Sequence, residues 1–329
     1  MYKLIVKSFN FLEKFAKPEL LNLTNQNWTQ IDNETYELNL KTKEEITKHT
    51  YELVYYSRCF DGIYLESNKI TDDENFNILE KVEIDYNSKP IQVYDLIGDI
   101  LEQRNYKINE DDNYLSHFLV NYCCFKLELE KEKGLFSVID PMAELGDIII
   151  ETSLFHPRKA LYVTEKNKLP IYKQFKIMPF MPKPVKDKNK YSALVMEDPQ
   201  FKKLRENINE AGQKVKISKY EMEWLDVKFK KNDLDYSICF IPEFDEEECP
   251  GEANEFLREY LYQTEFICKK KICLVSSEEI PFTYVDKYEL KLLDKSAITV
   301  EEEEFFIYIF EPTPDEQKKK KIEKPTEDN

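Results

Sequence analysis

The stretch VIDPMAELGDIIIE, residues 138–151, has the composition of a ligand-binding turn between a strand and a helix. An apolar run ends at Asp140 and Pro141, Gly146 follows, and a second apolar run begins. Glycine-bearing turns of this kind let the backbone and a helix N-terminus approach a nucleotide or an adenosine-containing cofactor. Such loops usually contain two or three glycines, whereas this one has a single glycine. The turn is therefore either a working cofactor site or the remains of one.

A second candidate site is the segment 157–190, which contains ten lysine or arginine residues and only two acidic residues. Basic residues interleaved with aromatic ones are typical of a groove that follows a nucleic-acid backbone and stacks bases. The alternative is a solvated insertion loop between a helix and a strand. The residues that we predict to contact RNA are Lys166, Lys168, Lys173, Lys176 and Lys183, and the interleaved aromatic residues are Tyr162, Tyr172, Phe175 and Phe180.

Composition excludes several classes of protein. The chain of 329 residues has a formal charge of −17, which argues against non-specific binding to a polyanion. Its seven cysteines form no Cys-x-x-Cys pair and its three histidines are far apart, so we predict reduced thiols and no metal site. We also predict a cytoplasmic protein, because no apolar run reaches membrane-spanning length.

The elements that must position these residues fall into two parts. Residues 1–65 follow a β-α-β-α-β order, which predicts a small ferredoxin-like α+β domain. Residues 106–312 alternate continuous apolar strands with helices, which indicates a parallel sheet covered on both faces. Two paired strands at the end predict an antiparallel hairpin at the edge of that sheet. Residues 66–105 are weakly patterned, and the charged tail 313–329 is predicted to be disordered.

The order of these elements and their motifs resemble the Rossmann-like methyltransferases that modify guanine N2 of tRNA or rRNA. Many members carry an N-terminal ferredoxin-like module and a THUMP domain. A full THUMP domain does not fit here, so residues 66–105 are a linker or a truncated THUMP-like segment. The family's cofactor loop and second-strand motif are matched by Asp140, Pro141, Met142, Gly146, Ile150, Glu151, Asp198, Pro199, Asn207, Ala211 and Gly212.

The resemblance implies an S-adenosylmethionine site, yet this sequence departs from the family where that cofactor would bind. Glu144 stands in place of the first loop glycine, although the cofactor requires close backbone approach there. Met196 stands where the family places an acidic ligand of the ribose hydroxyls, with Glu197 as the neighbouring substitute. Glu221 matches the acidic residue that contacts the adenine amine. The cofactor-binding residues implied by the resemblance are Asp140, Glu144, Gly146, Glu197 and Glu221.

The target-base motif also departs from the family pattern of Asn-Pro-Pro followed by an aromatic residue. The matching residues are Ile241, Pro242, Glu243 and Phe244, so an isoleucine replaces the asparagine that holds the guanine amine. Pro242 and Phe244 are the surviving members of this catalytic motif, and the aromatic ring would stack on an extruded base.

Retention of the scaffold residues with loss of the site residues predicts a methyltransferase fold whose catalytic activity is lost. Such a pseudoenzyme would act by binding RNA or a protein partner. The alternative is an active S-adenosylmethionine-dependent tRNA or rRNA methyltransferase with a divergent pocket. A third class is a domain of this fold that binds an unrelated small ligand.

Overall fold

The computed structural model describes residues 2–67, 79–86, 89–97, 115–155, 187–219, 225–241, 252–280, 290–300 and 303–313. The chain divides into two compact units. The first comprises residues 1–125 and 151–187, and the second comprises residues 126–150 and 188–329. No helix in the described part of the chain is long and apolar enough to cross a membrane.

The first unit contains a six-stranded antiparallel sheet. Its elements in chain order are β1 (Tyr2–Ser8), α1 (Glu13–Thr24), β2 (Thr29–Gln30), β3 (Thr35–Leu40), α2 (Lys43–Tyr56), β4 (Phe60–Ser67), β5 (Lys81–Tyr86) and β6 (Lys89–Asp95). The strand order is β2-β3-β1-β4-β6-β5. The first four strands and two helices have the β-α-β-β-α-β arrangement of a ferredoxin-like fold. The predicted strand order lacked β2, because two exposed residues give no hydrophobic pattern.

Local sequence explains why these elements form. Leu4, Ile5 and Val6 are fully buried in β1, which is the central strand between β3 and β4. Helix α2 begins at a capping box, in which Thr42 accepts from the Glu45 backbone and Glu45 accepts from the Thr42 backbone. Helix α1 is capped at its C-terminus by Asn25, which has a left-handed conformation with φ of 51°.

A carboxylate on α1 holds the turn that leads into β4. Glu19 is 3% exposed, and its carboxylate accepts hydrogen bonds from the Ser57 hydroxyl at 2.8 Å and from the Arg58 and Cys59 backbone N–H groups at 3.1 Å. The buried Arg58 guanidinium donates to the carbonyl of Leu154 at 2.7 Å. These bonds satisfy backbone groups that burial has removed from water, so Glu19 has a structural role.

Two further helices, α3 (Leu115–Lys126) and α4 (Asp147–Phe155), carry a buried polar pair in the first unit. The imidazole Nδ1 of His117 lies 2.8 Å from Oε2 of Glu151, and both residues are buried. Glu151 is the glutamate of the family's Ile-Glu motif, and this pairing gives it a partner within the fold.

The second unit is a seven-stranded sheet whose strands are mostly parallel. Its elements are β7 (Ser137–Asp140), β8 (Lys190–Val195), α5 (Asp198–Glu210), β9 (Val215–Lys219), α6 (Leu225–Lys228), β10 (Leu234–Phe240), α7 (Glu252–Ile267), β11 (Cys268–Ser276), β12 (Leu290–Val300) and β13 (Glu303–Pro312). The strand order is β12-β13-β11-β10-β7-β8-β9. The predicted alternation of strands and helices is confirmed, together with the Rossmann-like sheet.

The predicted antiparallel hairpin at the edge of the sheet is confirmed. β13 is antiparallel to both β11 and β12, so β12 runs parallel to β11 at the outer edge. The hairpin of β12 and β13 therefore forms this edge of the sheet, with the antiparallel strand β13 next to β11. The reason is burial: Ile307, Tyr308, Ile309 and Phe310 in β13 are at most 1% exposed, whereas Leu292 and Leu293 in β12 are about two-fifths exposed.

Several sequence predictions fall outside the described residues. They concern the tail from residue 314 onward, most of the basic segment 157–190, and parts of the 66–105 stretch.

Six cysteines are described, and all six are buried free thiols. The described residues contain no group of three or more His, Cys, Asp or Glu side chains arranged to hold a metal ion.

Candidate functional site

The candidate site lies at the carboxyl edge of the parallel strands in the second unit. β7 pairs in parallel with β8 on one side and with β10 on the other. Asp140 therefore ends β7 at the same edge where Met196 follows β8 and Ile241 follows β10. Ligands of open α/β sheets bind outside this edge, because helices and loops diverge there. The topology thus brings together the positions that the sequence singled out.

The loop between Asp140 and Gly146 is fixed by hydrogen bonds to neighbouring elements. The Ala143 N–H donates to the Leu194 carbonyl of β8 at 3.0 Å. The side chain of Asn207, which is 1% exposed, donates from Nδ2 to the Leu145 carbonyl at 2.9 Å. Asn207 matched the family only by spacing, and the structure gives it this clamping contact. The loop therefore retains a defined backbone shape.

Asp140 is completely buried at the start of the loop. Its Oδ1 accepts the Met142 N–H at 3.1 Å, while Oδ2 has no hydrogen-bond partner among the described residues. Burial raises the pKa of the Asp140 carboxyl to about 8, the Met142 N–H opposes this, and the charges of Glu144 and Asp147 add to it. The Asp140 carboxyl is therefore mainly protonated at neutral pH.

Glu144 has a left-handed backbone conformation with φ of 35°. A residue with a Cβ has a strain of about 1–2 kcal/mol in this region, while glycine adopts it freely. The loop thus keeps a conformation suited to the family's glycine, although a glutamate now occupies the position. The side chain of Glu144 is exposed, and its charge contributes to the raised pKa of Asp140. Glu144 therefore adds negative charge at the mouth of the loop.

Cys239 near the end of β10 was not singled out from the sequence. Its thiol is buried, and burial, with additional contributions from Asp140 and Glu144, raises its pKa well above the usual value. A thiol that stays protonated is a poor nucleophile. Cys239 is thus part of the hydrophobic core of the second unit rather than a reactive group.

Gly146 ends the loop with φ of 95°, which is strained for residues with a side chain. A Cβ at this position would overlap Cδ1 of Leu204 on α5. The space beside the Gly146 Cα is therefore filled by the α5 side chain, so this glycine permits close packing between the loop and α5.

Replacing Gly146 by alanine should destabilise the second unit by about 2 kcal/mol, because backbone strain and overlap with Leu204 act together. Chemical denaturation followed by circular dichroism measures this change. The matched control is Gly212→Ala, since Gly212 has φ of 63° but no atom within 4 Å of the added Cβ. The control should lose only about 1 kcal/mol. Equal losses in both variants would show that packing against Leu204 is not a cause.

The resemblance predicts that the residues after β8 would contact the ribose of the cofactor. Met196 is 51% exposed and cannot accept hydrogen bonds as a carboxylate does. Glu197 is exposed at the N-cap of α5, and its side chain makes no capping bond. Asp198, next along the chain, forms an ion pair with Lys219 at 2.6 Å. Of the two carboxylates in this turn, Asp198 is therefore in an ion pair, and Glu197 forms none with the described residues.

Ile241 stands where the resemblance predicts the target-base asparagine, and its side chain packs against the hydrophobic core of the second unit. Its backbone N–H donates to the Val275 carbonyl of β11 at 2.8 Å, which fixes the chain as it leaves β10. Packing of an isoleucine on the core stabilises the fold but offers no group to an exocyclic amine. Pro242, Phe244 and Glu221 lie outside the described residues, as do all five predicted RNA-contacting lysines.

Comparison with known proteins supports the fold. No family model and no curated protein matches the sequence. A possible methylase from Clostridium difficile 630 superposes with a TM-score of 0.69 at 14% identity, covering 95% of this chain and 98% of that chain. SMU.472, a candidate methyltransferase complexed with SAH, gives 0.64 at 12% identity, covering 95% and 98%. TrmN from Thermus thermophilus gives 0.60 at 10% identity, covering 95% and 100%.

These similarities extend over nearly the whole length of each protein. At identities of 10–14% they show the fold alone. The chain thus has a Rossmann-like methyltransferase fold, preceded by a ferredoxin-like module.

Proposed function

We propose that this methyltransferase-fold protein derives from RNA guanine-N2 methyltransferases of the THUMP-associated group and that its catalytic site is degraded. It would act in the cytoplasm by binding structured RNA or a protein partner such as an active methyltransferase subunit. The observation that carries the proposal is the acidic loop, in which Glu144 holds a left-handed conformation where the family has glycine. The proposed domain boundaries are residues 1–65, 66–105, 106–312 and 313–329.

The described residues of the loop do not fit S-adenosylmethionine well. The cofactor carries its own carboxylate, and two acidic residues, Glu144 in the loop and Asp147 at the start of α4, would lie near the position where the loop would receive it. Two like charges 4 Å apart repel by roughly 1 kcal/mol in water and roughly 4 kcal/mol at an effective dielectric of 20. Met196 removes the ribose acceptor, and Ile241 removes the amide for the target base. Each change weakens binding at a different point of the site.

A second candidate function is an active S-adenosylmethionine-dependent tRNA or rRNA methyltransferase with a divergent pocket. The observation in its favour is the retained loop geometry, since Asn207 and Gly146 still hold the turn in a defined shape. In that case Asp140, Gly146, Glu197 and Glu221 would hold the cofactor. Pro242 and Phe244 would hold the base. SMU.472, a neighbour in fold, is complexed with SAH, which supports a cofactor of this kind for related chains.

Calorimetric titration with S-adenosylmethionine and with SAH separates the two candidates. For a degraded site we expect a Kd above about 1 mM, equivalent to a binding free energy weaker than about −4 kcal/mol. Glu144→Gly should bind SAH about tenfold or more tightly than the wild type, because it removes both the side chain that hinders close backbone approach and its charge. Glu144→Gln removes only the charge, so its gain should be smaller.

Micromolar binding of either ligand by the wild-type protein would overturn the degraded-site proposal and favour the active enzyme. Glu210→Gln is the control, because Glu210 is exposed at the end of α5 and should leave SAH affinity unchanged.

The proposed RNA contacts are Lys166, Lys168, Lys173, Lys176 and Lys183 of the basic segment. Their support is the sequence pattern of lysines interleaved with aromatic residues in a chain whose overall charge is −17. The predicted N6-adenine-specific DNA methylase from Listeria monocytogenes has the same fold, with a TM-score of 0.61. Its name specifies a DNA substrate, which supports a nucleic-acid partner for this chain.

A further inference from the structure

We propose that the loop after β7 binds a cationic nucleoside amine that lacks a carboxylate, and that it discriminates against the amino-acid group of S-adenosylmethionine. This preference rests on the proposed function, since it concerns the same degraded cofactor site. It specifies the class of small ligand that such a site still accepts. The residues that carry it are Asp140, Glu144 and Met196.

The loop lies at the topological switch point of the seven-stranded sheet. From β7 the chain continues to β8 and β9 on one side, and it then returns to β10 and β11 on the other side. In open α/β sheets, ligands bind at such a point, in the crevice outside the carboxyl ends of the strands. The Ala143 N–H donates to the Leu194 carbonyl at 3.0 Å, so the loop lies against the carboxyl end of β8. A ligand in this crevice therefore meets the loop directly.

The loop contains a buried polar atom that lacks the partner which burial normally requires. Asp140 is 0% exposed, and its Oδ2 atom has no hydrogen-bond partner among the described residues. Buried polar atoms are nearly always hydrogen-bonded, because burial removes them from water. An amine that reaches this carboxyl would supply the missing hydrogen bond, and its positive charge would favour the ionised form of Asp140.

The described charges that act on the Asp140 carboxyl are negative. Burial raises the pKa of Asp140 to about 8, with further contributions from Glu144 and Asp147 and an opposing one from the Met142 N–H. Burial, Asp140 and Glu144 also raise the pKa of the Cys239 thiol on β10. The exposed carboxylate of Glu144 thus acts on the ends of both β7 and β10. Its field in the crevice attracts cations and repels anions.

This field distinguishes ligands by the carboxylate alone. The amino-acid end of S-adenosylmethionine carries an ammonium group and a carboxylate. Beside Glu144 the ammonium is attracted and the carboxylate is repelled, so the two effects largely cancel. Decarboxylated S-adenosylmethionine keeps the sulfonium and the ammonium but has no carboxylate. Only attraction remains for this ligand, which is therefore the better match to the loop.

Met196 supplies an apolar surface at the same edge of the sheet. It follows β8, the strand next to β7, and its side chain is 51% exposed. A thioether makes favourable contacts with aromatic rings but is a weak hydrogen-bond acceptor. The ring of a nucleoside base fits this position better than hydroxyl groups do. An aromatic ring joined to a cation is thus the chemistry that the described residues favour.

The test is calorimetric titration of the full chain with S-adenosylmethionine and with decarboxylated S-adenosylmethionine. The two ligands differ only in the carboxylate, and the decarboxylated one should bind about tenfold or more tightly. Because the preference is electrostatic, it should shrink at high salt. Glu144→Gln should weaken binding of the decarboxylated ligand by about threefold and strengthen binding of S-adenosylmethionine. Opposite changes distinguish a charge effect from damage to the loop, which would weaken binding of both ligands.

Glu210→Gln is the matched control, because Glu210 is exposed at the end of α5 and should leave both affinities unchanged. Weak binding of both ligands by the wild-type protein would overturn the preference but leave the degraded-site proposal standing. Micromolar binding of both with equal affinity would overturn the two proposals together. Parallel changes for the two ligands in Glu144→Gln would also overturn the preference, because Glu144 would then act through the structure of the loop.

Discussion

Replacing Asp140 by asparagine is expected to make the protein more stable than the wild type at pH 9, but not at pH 5. The reason is the buried carboxyl, whose pKa is about 8 in the folded protein and about 4 in an unfolded chain. Asparagine has nearly the same shape, and its Oδ1 can accept the same Met142 N–H. The substitution thus removes the ionisable carboxyl of residue 140 and keeps the hydrogen bond that holds the loop.

The sign follows from proton binding. Between about pH 4 and pH 8 the folded protein holds a proton on Asp140 that the unfolded chain has released. The contribution of this group to stability therefore falls as pH rises through that window, and it is constant above about pH 8. The full effect is on the order of 5 kcal/mol. At pH 5 the asparagine amide has no described partner in place of Oδ2, so the variant should be equal to or less stable than the wild type.

Urea denaturation of both proteins between pH 5 and pH 9 measures this difference. Other titrating groups are common to the two proteins, so their contributions cancel when the free energies of unfolding are subtracted. Asn209→Ala is the control, because Asn209 is exposed on α5 and has no ionisable group, so the difference should stay flat. A flat difference for Asp140→Asn as well would mean that the carboxyl is ionised in the folded protein.

Replacing Glu19 by alanine should destabilise the first unit by about 3–5 kcal/mol. The substitution removes the acceptor for the Arg58 and Cys59 backbone N–H groups, which are buried before the start of β4. Each buried donor left without a partner has a penalty of about 1–3 kcal/mol, and the removed side chain leaves a cavity as well. Chemical denaturation of the full chain, followed by tryptophan fluorescence, measures the loss, since Trp28 is buried in the first unit.

Glu19→Gln provides an intermediate case, because its amide oxygen can accept some of these bonds without a charge. We expect it to lose roughly half as much as the alanine variant. Glu44→Ala is the control on α2, where the side chain is exposed and the change should stay within about 0.5 kcal/mol. A small loss for Glu19→Ala would show that water or a rearranged turn satisfies the two N–H groups.

Much of the secondary structure could be predicted from the sequence, because it depends on residues close together in the chain. The apolar run before Asp140 and the helical pattern after Asp147 place β7 and α4 where the structure has them. The same reasoning placed α5, α7 and β10 within one or two residues. Hydrophobic period and length were enough, since these segments are each buried on a regular set of positions.

The arrangement of the candidate site could be predicted only in part. The sequence indicated the unusual glutamate in the loop and the isoleucine after β10. It did not indicate that Glu144 adopts φ of 35°, that Asn207 clamps the loop, or that the pKa of Asp140 is raised. Each of these properties depends on contacts between segments that are distant in sequence.

What the sequence by itself determined about this protein is the set of strands and helices and the residue types at the carboxyl edge. Tertiary structure alone decided that β13 lies between β12 and β11 in the sheet and that Leu204 fills the space beside Gly146. The physical reason is that hydrophobic periodicity is local, whereas burial, electrostatic coupling and steric overlap arise only when distant segments pack together.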